Sequence, residues 1–536
     1  MSGQRPFTPS VSLAFNDFVL WPASILLYGP VASALIVLFA VKYLTSPWRK
    51  IPPGPRGLPL AGNAFSIGKT QWLTFTEWKK QYGDVVYFTA FGQPMIVLNT
   101  IKAASDLLDR RAGIYSDRPD FIVGSDILCG GLGLPFQRYN PLWRRMRKAT
   151  HEGLNFGVPG PFRPAQMKEA VLLTLSILAQ PAAWESHFQR ASSSMIMSVT
   201  YDTPPIKSQD DPRVKDVIDF ATRITTAAIP GAYLVELFTW MKYIPSRFAK
   251  WKREAEQEHV KFTTAFEKLY NTVGAALANG IDRPSISASL LKDNERNNMS
   301  VRENAWISAM IIAGSETTSG ALAWWMLAIV THPEVQKRAQ AEIDAVVGRG
   351  RVPTFSDLPH LPYINATIKE VLRWRSLTPL GIPHRSIEDD WYKGMFIPKG
   401  TICIANVWAL NLDPEVYGAD AHEFNPGRYI GENGAVMKGP LHTKEEGHST
   451  YGFGRRVCPG KQLANDSLFI DSAVMLWACT FEPAKDEHGD PIPIDVDGWA
   501  EHGTVVHPAH FTCTATPRFP EVPALLAAER ELFSEH

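Results

Sequence analysis

The chain has 536 residues, and its 54 Lys+Arg are balanced by 54 Asp+Glu. That zero net charge excludes nucleic acid as the main partner, because phosphate binding needs a clear basic excess; 16 Trp, 27 Phe and 15 Tyr exclude wholesale disorder. The five cysteines (Cys129, Cys403, Cys458, Cys479 and Cys513) are odd in number, far apart and without a CxxC pair, which excludes a zinc ribbon or a disulfide scaffold.

From Phe18 to Val41 no side chain ionises apart from the phenol of Tyr28. As a helix that run extends ~36 Å, enough to cross the ~30 Å hydrocarbon core of a bilayer. Pro22 and Pro30 would break a soluble helix but are tolerated in a spanning one. Lys42, Arg49, Lys50 and Arg56 come after the run, against Arg5 and Asp17 before it, so the body of the chain is expected on the cytosolic side. A cleaved secretory signal is the competing reading, since Ala32-Ser33-Ala34 resembles an A-x-A site. The apolar run continues past Ala34 and its front end is barely basic, which favours an uncleaved anchor. The N-x-S/T sequons at Asn298, Asn365 and Asn465 should then go unglycosylated.

Next comes Ile51-Pro52-Pro53-Gly54-Pro55-Arg56-Gly57-Leu58-Pro59. Prolines fix φ and remove donors, so this stretch is a stiff, extended connector. Nothing later is linker-like, and the rest is expected to be one large domain. Trp143-Arg144-Arg145-Met146-Arg147 places Trp143 and Arg147 on one helix face. Ser300-Val301-Arg302-Glu303 is a capping box opening a long apolar helix through to Val330, which carries Ala313-Gly314-Ser315-Glu316-Thr317-Thr318. Thr317 can hydrogen-bond back to the carbonyl of Ala313 and loosen that helix locally. Thr331-His332-Pro333-Glu334 starts another helix, ended by Gly348. A third runs from about Pro362 to Ser376 and carries Glu370-Val371-Leu372-Arg373, whose acid and base can pair at i,i+3. Short β-rich pieces then alternate with turns, as in Met395–Thr401. His502, His507 and His510 form no metal pattern and read as loop residues.

The most informative stretch is Tyr451-Gly452-Phe453-Gly454-Arg455-Arg456-Val457-Cys458-Pro459-Gly460. Gly454 and Gly460, on either side of Cys458, let the backbone turn tightly and bring amide N–H groups towards the sulfur. Those hydrogen bonds, with Arg456, would favour a thiolate, the form that axial ligation of haem iron requires. The bland alternative is a buried structural cysteine beside a glycine-rich turn.

This segment resembles the haem-binding loop of the cytochrome P-450 superfamily, F-x-x-G-x-R-x-C-x-G, with Tyr451 in place of the Phe. The other motifs resemble the family's in the same order: A-G-x-[DE]-T-[TS] at Ala313–Thr318, E-x-x-R at Glu370–Arg373, and P-E-R-F at Pro426-Gly427-Arg428-Tyr429, where Gly427 replaces the Glu. The resemblance is best with microsomal, particularly fungal, members. It implies a mainly α fold with a small β region, preceded by one N-terminal transmembrane helix. The expected division is a lumenal N-terminus (1–17), a signal anchor (18–41), a basic, Pro-rich hinge (42–60), a haem-thiolate catalytic domain (61–519) and a C-terminal tail (520–536).

The resemblance also implies roles. Cys458 would ligate the iron of haem b, with Phe453, Gly454 and Gly460 shaping its loop. Trp143, Arg147, His384 and Arg456 would meet the haem propionates; the bland alternative for His384 is an ordinary turn histidine. Gly314 would leave room for a diatomic ligand, and Glu316 with Thr317 would relay protons. Glu370, Arg373 and Arg428 would be structural. A pocket would draw on Tyr115–Tyr139, Met310–Ser315, Leu377–Pro383 and the surroundings of Gly503–Val505. Electrons would come from NADPH through a cytochrome reductase in the endoplasmic reticulum membrane, steered by Arg144, Arg145, Lys148, Arg455 and Lys461. The implied activity is insertion of one oxygen atom from O2 into a lipophilic small molecule of secondary metabolism. The rival is a haem-thiolate lyase or isomerase that rearranges peroxides without O2, which has no need of the Glu316–Thr317 pair.

Overall fold

A computed structural model describes residues 23–154, 160–229, 231–502 and 504–533. The expected lumenal segment 1–17, the first anchor residues 18–22, Gly503 and the end of the tail (534–536) lie outside the described residues. The apolar run forms α1 (Ala23–Thr45), and Val31–Lys50 is long and apolar enough to cross a membrane, with no residue of that span buried in the protein core. The chain divides into two compact units, Met1–Ile51 with Trp391–Ile397, and Pro52–Asp390 with Pro398–His536. Within the first, the ring of Trp48 meets Phe396 edge-on at 6.0 Å.

The second unit is mainly helical, as expected. Its principal helices are α2 (Pro141–Leu154), α3 (Arg163–Ala179), α4 (Trp184–Tyr201), α5 (Lys250–Ala278), α6 (Val301–Ile312), α7 (Gly314–Thr331), α8 (Pro333–Val346), α9 (Pro362–Trp374), α10 (Lys461–Ala478) and α11 (Val522–Leu532). The strands are β1 (Val85–Ala90), β2 (Gln93–Leu98), β3 (His384–Arg385), β4 (Ile402–Ala405), β5 (Cys479–Pro483), β6 (Trp499–His502), β7 (Val505–Pro508) and β8 (Cys513–Pro517). Four of them make one sheet in the order β1-β2-β4-β3, with β2 and β4 parallel and the other pairs antiparallel.

Ser300 caps α6 as expected: its Oγ accepts from Glu303 N at 3.2 Å, and Glu303 Oε2 accepts from Ser300 N at 2.7 Å. The long helix does not continue unbroken to Val330. It is interrupted at Ala313 (φ −60°, ψ −15°), between α6 and α7. The apolar pattern runs across this point because both halves are buried on nearly all sides, and so periodicity does not mark the break. α7 is the central element of the larger core, where Leu322, Trp325, Leu327 and Ile329 pack with residues of α3, α9 and α10. Burial of each such side chain contributes roughly 1.5–3 kcal/mol. A second core gathers around Trp306 of α6 with Met146 of α2 and Phe266 and Tyr270 of α5.

Candidate active site

The cysteine loop is built on close backbone contacts. Cys458 N donates to Tyr451 O at 2.8 Å, and Gly454 N donates to Asp109 Oδ1 at 2.5 Å. Gly454 has φ +55°, and a Cβ there would lie 2.1 Å from the carbonyl oxygen of Leu108, so only glycine fits. Phe453 is buried beside it. Burial pushes the Cys458 thiol up, while the Gly460 N–H and the charges of Arg147 and Lys461 pull it down. Arg456, expected to favour the thiolate, is not among these groups. Its Nε and Nη2 donate to Ser116 O and Gln137 O, each at 2.8 Å. Arg147 takes that place, because its Nη2 donates to Val457 O at 2.5 Å and ties α2 to the residue before the cysteine. A bound metal cation would deprotonate the sulfur outright.

Beyond the loop lies a group of buried cations. Arg456 sits over the Trp143 ring, 4.0 Å from its centroid. His384 Nδ1 lies 2.7 Å from Tyr115 O. Arg118, which carries no motif in the sequence, joins them: Nε donates to Pro135 O at 2.9 Å, and Nη1 to Ile382 O and Pro383 O at 2.6 and 2.8 Å. Burial, then the charge of Arg456, pushes Arg118 well below the usual guanidinium range; Asp117 opposes this, and Arg147 adds to it. Arg456 is lowered to about 9 by burial, with Arg147 adding and Asp117 opposing. His384 is held well below the ordinary imidazole value by burial and by Arg118. Burial thus depresses three neighbouring guanidiniums; Arg147 adds to the effect on Arg456, these two add to it on Arg118, and Asp117 opposes it at Arg118 and Arg456. Such a group gains from receiving anions, and the carboxylates of a porphyrin fit it. Gly460 agrees with this, since a Cβ there would meet nothing within 4 Å.

Glu316 and Thr317 form a second group, on the first turn of α7. Both Thr317 and Thr318 donate their hydroxyls to Gly314 O, at 3.1 and 2.9 Å. The acceptor is therefore Gly314, not Ala313, and two side chains competing for one helix carbonyl accompany the break. A Cβ on Gly314 would meet only Ile196 Cδ1, at 3.9 Å, so the helix face there is open. Glu316 is buried, and its Oε1 lies 3.0 Å from Nε2 of His507. His507 is not a loop residue: it lies on β7 and is buried. Of the other two histidines, His502 ends β6, while His510 comes after β7 and faces Glu185 at 3.1 Å.

The Glu370–Arg373 pair stands fully buried, with bonds of 2.6 and 2.7 Å. Arg428 Nε adds a third contact to Glu370 at 3.0 Å. Arg373 also donates to the carbonyls of Asn411, Ala421 and Glu423. In the same region Thr450 Oγ1 donates to Leu372 O at 2.6 Å. These bonds fasten α9 to the chain that leads into the cysteine loop. Gly427 leaves Arg428 without the adjacent acid of the family motif; Asp420 supplies one at 3.0 Å.

The family model for cytochrome P-450 matches residues 52–508. A cytochrome P-450 monooxygenase of Armillaria gallica is 56% identical over 506 residues, covering 94% of this chain and 97% of that protein. Cytochrome P-450 monooxygenase 58 of Postia placenta is 45% identical, covering 92% and 93%. Cytochrome P-450 monooxygenase iboC of Amanita muscaria is 40% identical, covering 95% and 98%. With a match across most of its length and full-length fungal relatives, the chain belongs to the cytochrome P-450 family of haem-thiolate monooxygenases.

Proposed function

We propose that this monooxygenase takes NADPH-derived electrons from a membrane-bound cytochrome reductase and puts one oxygen atom of O2 into a lipophilic small molecule of secondary metabolism. The catalytic unit would face the cytosol from the endoplasmic reticulum membrane. Haem bound through Cys458 would supply the oxygen-activating chemistry. Trp143, Arg147, Arg456 and His384, together with Arg118, would hold its carboxylates. Phe453, Gly454 and Gly460 would keep the sulfur at a fixed height. Glu316 would hand protons towards Thr317 at the break between α6 and α7. The observation that carries this reading is the buried Glu316 beside Thr317, because a peroxide-rearranging enzyme needs no such proton source.

Three features support the membrane setting. The basic flank of the apolar run favours the cytosolic side for the catalytic unit. Leu60 is 95% exposed, and Phe65, Trp240, Tyr243 and Phe248 are also largely exposed. Phe65 meets Phe91 at 6.2 Å, and Phe91 meets Phe238 at 5.7 Å, so rings link the segment after the hinge to the segment after α4. Exposed apolar surface of this kind, with Lys242 and Arg247 beside it, suits a bilayer interface. The side-chain amides of Asn365 and Asn465 also donate inward, to Leu358 O and Glu446, which fits two sites that stay unmodified, whereas Asn298 of the third sequon is exposed.

The expected reductase-facing cations are partly paired: Arg145 with Glu303 at 3.7 Å, Lys148 with Glu152 at 3.8 Å and Lys461 with Glu446 at 2.9 Å. Steering would therefore be moderate and sensitive to salt. The test is expression with a reductase, then mass-spectrometric search of a terpenoid, sterol and polyketide panel for products heavier by one oxygen. Product formation that requires NADPH supports the proposal. Conversion of hydroperoxides without NADPH or reductase would replace it with the isomerase.

A further inference from the structure

His507 lies 191 residues from Glu316 in the chain, yet its Nε2 is 3.0 Å from Glu316 Oε1. Two features hold the ring there. Trp324 Nε1 of α7 donates to Val506 O at 2.9 Å, and Val506 N donates to Leu377 O at 2.8 Å, so the strand is fixed against the helix. Gly320, one helical turn after Glu316, leaves the space that the imidazole occupies. A Cβ on Gly320 would lie 3.2 Å from Cε1 and 3.3 Å from Nε2 of His507.

His507 also lines a cleft of about 170 Å³, together with Glu185, Gln189, Ser319, Ala500 and His510. At its rim, His510 Nδ1 and Glu185 Oε1 are 3.1 Å apart, on side chains that are 64% and 43% exposed. Polar and apolar groups line the cleft about equally, with Phe188, Ala323 and Pro508 among the latter, and it holds several waters by volume. Glu316 does not line it, so the imidazole stands between the cleft and the buried carboxylate.

We propose that His507 is the residue that passes protons from this cleft to Glu316. The proposal rests on the role given to Glu316 above. A hydronium in the cleft gives its proton to the ring nitrogen Nδ1 and becomes water. The Nε2 proton then moves to Glu316 Oε1, leaving a neutral ring protonated on Nδ1, which exchanges back to the Nε2 tautomer before the second proton passes. Reduction of one O2 in this reaction consumes two electrons from NADPH and two protons, which enter here one at a time. His507 is thus a positioning and proton-passing residue, while Glu316 hands the proton on towards Thr317.

The test uses full-length, haem-loaded enzyme with reductase and NADPH, and reads oxygen consumption, which needs protons with or without an added substrate. His507→Gln keeps a polar contact to Glu316 but carries no proton. It is expected to slow oxygen consumption roughly tenfold, less than the ~100-fold minimum usual for a proton donor itself, because water partly replaces the ring. Iron reduction trapped by carbon monoxide needs no proton, and its rate and spectrum should match the parent. Independently of turnover, diethyl pyrocarbonate should modify His507 in the folded holoenzyme, as mapped by peptide mass spectrometry. Ala500→Phe, which narrows the cleft, should protect His507 and slow oxygen consumption in parallel.

Unchanged oxygen consumption in His507→Gln would overturn the proposal. So would a parallel loss of carbon-monoxide-trapped reduction, or an unreactive His507. A parent enzyme that consumes no O2 would instead count against the monooxygenase reading itself.

Discussion

Arg456 and Trp143 share one acceptor. The guanidinium carbon lies 4.0 Å from the centroid of the indole, and both Trp143 Nε1 and Arg456 Nη1 point at Leu134 O, at 3.1 and 3.4 Å. The ring therefore holds flat a cation whose Nε and Nη2 also donate to Ser116 O and Gln137 O, leaving one N–H on each Nη to meet an anion. Lysine cannot reproduce that fork or its stacking. Arg456→Lys is expected to fold but to lose haem roughly ten- to hundredfold more readily, from the loss of one charge-assisted bond at about 1.5–3 kcal/mol. Transfer of haem to apomyoglobin measures the loss rate.

Cys458 feels the positive charges of Arg147 and Lys461, which pull its thiol down against burial. Cys129, Cys403 and Cys479 are buried in apolar surroundings that push their thiols up. Cys458→Ser should abolish the carbon-monoxide spectrum of a thiolate-ligated haem, while Cys129→Ser and Cys479→Ser leave it in place. Retention of the parental spectrum in Cys458→Ser would remove the basis for every role assigned to the loop.

Glu370 has three partners, Arg373, Arg428 and the backbone N–H of Asn425 at 2.8 Å. Its replacement would strand Arg373, which is wholly buried. Glu370→Ala should destabilise the domain by about 3–5 kcal/mol, as for a buried charge that loses its partner. Arg428→Ala leaves Glu370 paired with Arg373 and frees only the part-exposed Asp420, so it should cost less. Thermal unfolding of the two variants with haem in excess gives the ordering.

Distance along the chain decides how much of this was legible in the sequence. The Ser300–Glu303 capping box and the Glu370–Arg373 pair each sit within one helical turn, and both form as their spacing predicts. Pro333 starts α8 for the same local reason. Arg118 was not legible, because its acceptors Ile382 O and Pro383 O lie 264 and 265 residues away. His507 was likewise hidden: only the folding of β7 against α7 shows that a histidine without a motif meets Glu316. The break at Ala313 escaped for another reason. Hydrophobic periodicity reports burial, and a helix buried on all sides reads the same whether it is whole or interrupted.

Glu236 carries a pH dependence remote from the haem-binding residues. It lies in the short helix Leu234–Leu237, and its two oxygens accept the N–H groups of Ile122 and Val123 at 2.8 and 2.9 Å. Burial raises its carboxyl to about 7; the two N–H groups oppose the rise, and Asp126 and Asp120 add to it. The unfolded chain releases this proton near the ordinary value of 4.5. Between these values the folded state holds more protons than the unfolded one, so stability falls as pH rises through 7. The penalty is fully present above the folded value and absent below the unfolded one. Glu236→Gln removes the titration but keeps a carbonyl acceptor. Its stability relative to the parent should therefore rise between about pH 5 and about pH 8 by up to ~3 kcal/mol, since each tenfold difference in proton affinity between the two states is worth about 1.36 kcal/mol. Unfolding midpoints of both proteins across that range measure it, and a difference that stays constant with pH would show that Glu236 ionises at its ordinary value in the folded chain.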